Sequence, residues 1–210
     1  MAVRPDGVFI NVPFDRRYRK LFHALVFTVH ECGFFARCAL EGDDGSQMRM
    51  DKLYDIIGDC PLGIHDLSRT TLDSVNRLPR FNMPLELGIF LGAKRYGGPT
   101  QRRKSCLILE RDSYRYQKFC SDIAGQDIRA HHDTAEDAIV AVRNWLRAAR
   151  PTMPMPGGDA LARRYVQFRL DFPRMCDVRE VDRLDPPFLD YRTLVAGWLD
   201  ENPRVGSRDA

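Results

Sequence analysis

Apolar and polar positions alternate between two periods along this chain. Val8-Phe9-Ile10-Asn11-Val12 is a short β-rich run ended by Pro13 and reads as a first buried strand. Leu21, Leu25, Thr28 and Val29 then recur at helical spacing, widened by Phe22 and Val26, with Asp15 as a candidate cap and Gly33 as the stop. Phe34–Leu40 reads as a second strand, followed by the polar loop Glu41–Gly45. Met50, Leu53, Ile56 and Ile57 mark a second helix, and Leu62–Asp66 a third strand with Asp66 at its carboxyl end. A polar loop runs from Leu67 to Asn82. Pro84 opens a helix through Glu86, Ile89, Phe90 and Ala93, because proline suits a first turn. Cys106–Leu109 is a fourth strand, Tyr116–Ala124 a helix, Ile128–His131 a fifth strand and Ala135–Ala148 a helix.

Strands alternating with helices predict a parallel sheet covered on both faces, a doubly wound α/β domain over residues 1–150. At 151–158 proline, methionine and glycine break the pattern and read as a semi-stiff linker. Two helices, about Ala160–Cys176 and Leu189–Glu201, form an appendage over 159–203, carrying Tyr165, Phe168, Leu194 and Trp198. So small a unit cannot bury its own apolar face. It is expected to pack on the main domain or on a second copy, which makes a homo-oligomer through these helices a candidate assembly. The tail 204–210 is expected to be disordered.

Bulk composition excludes more than it selects. With 32 Lys+Arg against 29 Asp+Glu the formal net charge is +3, too balanced to announce nucleic acid as a partner. The most apolar stretch, His23–Leu40, is broken by His30, Glu31 and Arg37, and no membrane association is expected. The six cysteines form no C-x-x-C pair and no zinc spacing, which suits reduced thiols and a cytoplasmic location. No G-x-G-x-x-G follows the first strand and no P-loop occurs, so an ordinary dinucleotide dehydrogenase or P-loop NTPase is disfavoured.

In open parallel sheets ligands bind beyond the carboxyl ends of the strands, where strand order reverses. Candidate residues are therefore Asn11, Phe14 and Asp15 after the first strand, and His65, Asp66, Ser68, Arg69, Asn82 and Glu86 around the third. Glu86 shares a helical face with Ile89, Phe90 and Ala93, so it is either an ordinary first-turn carboxylate or one held in a cleft. Asp66 either bonds the next turn or faces a ligand. His65 is a structural histidine or a general acid–base, and Arg69 a phosphate fork or a surface ion pair. Asn82 is a cap or a contact, Phe14 a core aromatic or a stacking wall, and Asp43-Asp44-Gly45 first of all a turn.

Three segments together resemble the superfamily that joins bacterial Toll/interleukin-1-receptor (TIR) domains and nucleoside 2-deoxyribosyltransferases. They are Val8–Asp15, Gly63-Ile64-His65-Asp66-Leu67-Ser68-Arg69 and Asn82-Met83-Pro84-Leu85-Glu86-Leu87-Gly88, within a match over roughly residues 8–149. The resemblance implies a flavodoxin-like five-stranded sheet of order 2-1-3-4-5. It further implies cleavage or transfer at an N-glycosidic bond, with NAD or another nucleotide as substrate and neither cofactor nor metal required. Glu86 matches the family's catalytic glutamate, and Asp66 the acid that touches the sugar in the transferases. The segment after Asp66 is longer than in the compact transferases, which tilts the expectation towards hydrolysis. Many TIR-like domains are scaffolds, so a non-catalytic nucleotide-binding or signalling module is the second expectation.

Overall fold

All five residues of β1 (Gly7–Asn11) and all five of β3 (Leu62–Asp66) are buried, as strands covered on both faces must be. The computed structural model of the chain describes residues 4–70 and 80–204. Between those strands come α1 (Arg19–Glu31), β2 (Phe35–Arg37) and α2 (Arg49–Asp59). After them come α3 (Asn82–Tyr96), α4 (Pro99–Arg102), β4 (Ser105–Glu110), β5 (Ile128–Ala130), α5 (Ala135–Ala149), α6 (Gly158–Val178) and α7 (Phe188–Glu201). The sheet is parallel throughout, in the order β2-β1-β3-β4-β5, and the fold is flavodoxin-like with a helical extension.

Side chains along a strand point to opposite faces in turn. Val8, Ile10, Ile64, Leu107 and Leu109 join α1 and α5 in one core. Phe9 joins Leu53, Ile56, Ile57 and Phe90 from α2 and α3 on the other face. A third cluster under α3 gathers Leu67, Met83, Leu87 and Ile108 with Tyr116 and Ile123. Gly33 ends α1 as anticipated: its φ is +77°, its amide bonds His30 O at 2.8 Å, and Phe34 N reaches Val29 O at 3.0 Å.

Several features differ from expectation. Helix α4 was not foreseen, and α3 begins at Asn82, two residues before Pro84, so Glu86 lies beyond its first turn. The strand foreseen over Phe34–Leu40 is paired only at Phe35–Arg37, because Cys38 O and Glu41 N close a turn at 3.2 Å. The helix foreseen over Tyr116–Ala124 is two 3-10 turns, Arg115–Lys118 and Ser121–Ile123. Cys120, at φ −144° and ψ 60°, leaves the helical region between them, yet Tyr116 and Ile123 are buried and Phe119 half-buried at helix-like spacing. Asp15 does not cap α1 directly; its carboxylate accepts the amides of Arg17 and Tyr18, one turn earlier.

The two C-terminal helices pack on the α/β unit. The Phe27 ring lies 5.3 Å from that of Tyr165, 5.2 Å from Phe168 and 5.9 Å from Trp198, centroid to centroid. His23 stacks on Tyr191 at 3.8 Å, and the Tyr191 hydroxyl donates to His23 O. Residues 151–157 are tied to α5, since Arg143 donates to Pro156 O and Met155 O, and Arg147 to Arg150 O and Met153 O. Of the tail, Arg204 pairs with Glu31, and residues 205–210 lie outside the described residues, as do 71–79 of the loop after β3. Among the described residues no helix is long and apolar enough to cross a membrane, and all six cysteines are free.

Candidate functional site

The carboxyl ends of β1, β3, β4 and β5 deliver polar residues where parallel strands leave backbone groups unpaired. Asp66, the last residue of β3, continues the Ile64 side of the strand, towards α1 and α5, and is fully buried. Its Oδ2 accepts the Tyr18 hydroxyl at 2.5 Å, and its Oδ1 accepts the Ser68 amide at 2.8 Å and the Ser68 hydroxyl. His131 Nε2 lies 2.9 Å from Oδ2, off the line of an aligned hydrogen bond but well placed as an ion pair. A carboxylate offers about four acceptor sites, and here four donor groups crowd them.

Burial alone would raise the Asp66 pKa, but His131, Ser68 and Tyr18 together hold it below the ordinary value. Burial would likewise depress His131, and the contact with Asp66, then the charges of Asp133 and Glu110, lift it above its ordinary value. The backbone amide of Asp133 donates to His131 Nδ1 at 3.0 Å, which leaves the proton of the neutral ring on Nε2, facing Asp66. His132 and Asp133 both adopt positive φ, 49° and 57°, as the chain bends around this contact.

His65 points to the opposite face, edge-on to Phe9 and Phe90. Asn11 Nδ2 donates to Met83 O at 2.9 Å and also lies 3.1 Å from His65 Nδ1. The same amide nitrogen serves both, so His65 Nδ1 is the acceptor. Burial, with a smaller push from Lys104, lowers the His65 pKa to about 3, so the ring is neutral and structural. Asn11 thereby fastens the end of β1 to the first turn of α3.

Glu86 lies on that helix, on the buried stripe of Met83, Leu87 and Phe90, and is 5% exposed. No hydrogen bond or ion pair reaches its carboxylate among the described residues, and no side chain caps α3. Burial raises its pKa to about 7, opposed only by the charge of Arg49 at the start of α2. The two acids singled out from the sequence therefore occupy different settings. Asp66 is enclosed and saturated on the α1–α5 side, and Glu86 is desolvated and undonated on the α2–α3 side.

Comparison with protein-family models, with curated proteins and with solved structures returns nothing that matches this chain.

The remaining candidates separate in the same way. Asp15 Oδ2 sits 3.8 Å from Arg69 and 3.9 Å from Arg80, so Arg69 is half-buried in an ion pair rather than presented as a free fork. Phe14 is half-buried, edge-on to Phe22 at 5.3 Å, and lines with Asp15, Arg19 and Phe188 a cavity of about 130 Å³. Ser68 serves Asp66. Asn82 is exposed at the first position of α3, and Phe81 occupies the cap position. Asp44 closes a turn through Ser46, and no group of His, Cys, Asp and Glu that could hold a metal occurs among the described residues.

Sequence reasoning passed over Tyr18, Glu110, Arg115 and His131. Glu110 ends β4 fully buried, and Oε1 accepts from the Arg111 amide and from Arg115, which also donates to Ser68 O at 2.6 Å. Polar residues at three successive strand ends, Asp66, Glu110 and His131, were the available signal.

Proposed function

We propose that the chain cleaves the C–N glycosidic bond of NAD or a related nucleotide, with Glu86 as the catalytic carboxylate. One observation carries the reading: a glutamate in the first turns of α3, desolvated, without a donor among the described residues, with its pKa raised to about 7. A carboxylate desolvated enough to titrate near the working pH is characteristic of a reacting group. Breaking the bond builds oxocarbenium charge on the ribose. An ionised Glu86 close to the anomeric carbon stabilises that charge or attacks it, as carboxylates do in sugar hydrolysis. A cationic base such as a nicotinamide ring would itself favour the ionised form by proximity. The TIR and deoxyribosyltransferase resemblance points the same way.

The family's sugar-contacting acid matches Asp66, whose acceptor sites are occupied within the protein. In this reading Asp66 acts through Ser68 and His131 as a positioning residue. Deoxyribosyl transfer, which relies on that acid at the sugar, is correspondingly disfavoured. The same saturation favours, as a second reading, a nucleotide-binding module without chemistry.

The test is release of free base from NAD, NADP and a nucleoside panel, followed chromatographically, for the parent protein and Glu86→Gln. Release by the parent and its loss in Glu86→Gln is the expected result. Nucleotide bound and recovered unchanged by both proteins would establish the binding module instead.

A further inference from the structure

Helix α6 buries Leu161, Tyr165, Phe168, Phe172 and Cys176 against the rest of the molecule. Its opposite side carries a second stripe, Asp159, Arg163, Val166, Leu170 and Arg174, at spacings of four, three, four and four. All five are exposed, with Val166 at 58% and Leu170 at 70%. An amphipathic helix whose inward face is already satisfied has no folding reason to place two large aliphatic side chains at the centre of its outer face. Beside them, between α6 and the start of α5, is a cavity of about 800 Å³ whose floor includes Ala135, Ile139 and Ala162. Ala135 and Ala162 leave room for the hollow, and Val166 and Leu170 also line it.

We infer that this face is the interface between two copies of the chain, with α6 packed antiparallel on its symmetry mate. A knob beside a hollow is the pattern a two-fold axis can use, because each copy's knob then enters the other's hollow. The charges agree with that occupant. An axis passing between Val166 and Gln167 leaves Asp159 and Arg174 equally far from it, about two helical turns on either side. Asp159 of each copy thus meets the Arg174 of its mate, and the two Val166 side chains meet at the centre. The acidic Glu136 and Asp159 and the basic Arg163 and Arg169 border the same cavity, so the surface carries both signs and complements itself. A lipid or polyanion site would show one sign.

Sedimentation velocity across a concentration series tests the pairing. The parent protein is expected to sediment as a dimer that dissociates on dilution. Leu170→Asp, at a position already exposed and therefore tolerable to the fold, is expected to shift the species to monomer with an unchanged circular dichroism spectrum. Asp159→Arg is expected to weaken the dimer at least tenfold, and adding Arg174→Asp to restore it. Restoration sets this register apart from a loss of folding. A parent that remains monomeric, a dimer untouched by Leu170→Asp, or a double variant no better than Asp159→Arg would each overturn the inference. A monomer that retains a small molecule in the cavity would overturn it as well.

Discussion

Replacing Glu86 with glutamine removes a charge that finds no donor among the described residues. Its pKa is raised from 4.5 to about 7, so the folded state prefers the protonated form, and ionisation costs stability increasingly as pH rises between those values. Glu86→Gln should therefore be more stable than the parent above pH 7, by about 1–2 kcal/mol after solvent screening is discounted, with the difference fading towards pH 4.5. Urea unfolding at the two pH values checks it, and a loss of stability at neutral pH would mean that Glu86 makes a bond the fold needs. If Glu86 must be ionised to act, base release should climb with pH and level off above about 7. Asp66 behaves in the opposite sense. Its folded pKa is depressed below 3.8, so its contribution is present above that value and is lost as pH falls through the folded pKa. His131 is raised above 6.5, so its contribution is full below that value and lost as pH rises through the folded pKa. The pair stabilises most between those two ordinary values, and Asp66→Asn should cost about 3 kcal/mol by stranding buried partners, measurable as a lowered urea midpoint near pH 5. At this scale the sequence revealed which acids stood at the sheet edge but not which was free. The Asp66 partners Tyr18 and His131 are 48 and 65 positions away, and no local spacing encodes such a meeting.

At the scale of elements, periodicity carried most of the reading. Four of the five strands and every long helix lie where the apolar positions place them, because each must bury one face or two. The failures occur where local backbone conformation overrides the pattern. Cys120 leaves the helical region and splits a helical repeat into two 3-10 turns that place the same side chains against the core. The short edge strand β2 stops because a turn captures Glu41. Gly63 shows how closely one strand and one helix approach. A Cβ there would sit 2.8 Å from His65 Nε2 and 2.8 Å from a Phe90 ring carbon. Gly63→Ala should cost about 1–3 kcal/mol through overpacking, seen as a lower thermal midpoint. Because it pushes on Phe90, one turn from Glu86, it should also reduce base release. Full activity in a destabilised Gly63→Ala protein would argue that α3 tolerates a shift.

Across the whole molecule, α1 is enclosed on two sides, by the sheet and by α6 and α7, which is why nine of its thirteen residues are buried. A chain cut after Ala149 would leave Phe27 without Tyr165, Phe168 and Trp198. Such a fragment is expected to lack a cooperative thermal transition and to bind a hydrophobic dye; a sharp transition would show that the α/β unit stands alone. The sequence marked a break at 151–158, and proline there does interrupt regular structure, but composition gave no measure of how much apolar surface lay across it. That enclosure also has a consequence for synthesis. The ribosome delivers α1 well before α6 and α7, so α1 must wait, with an apolar flank uncovered, until both have emerged. A nascent chain in that interval is a natural client for chaperones, and the time this unit takes to become protease-resistant should be set by synthesis of α6 and α7 rather than by assembly of its sheet.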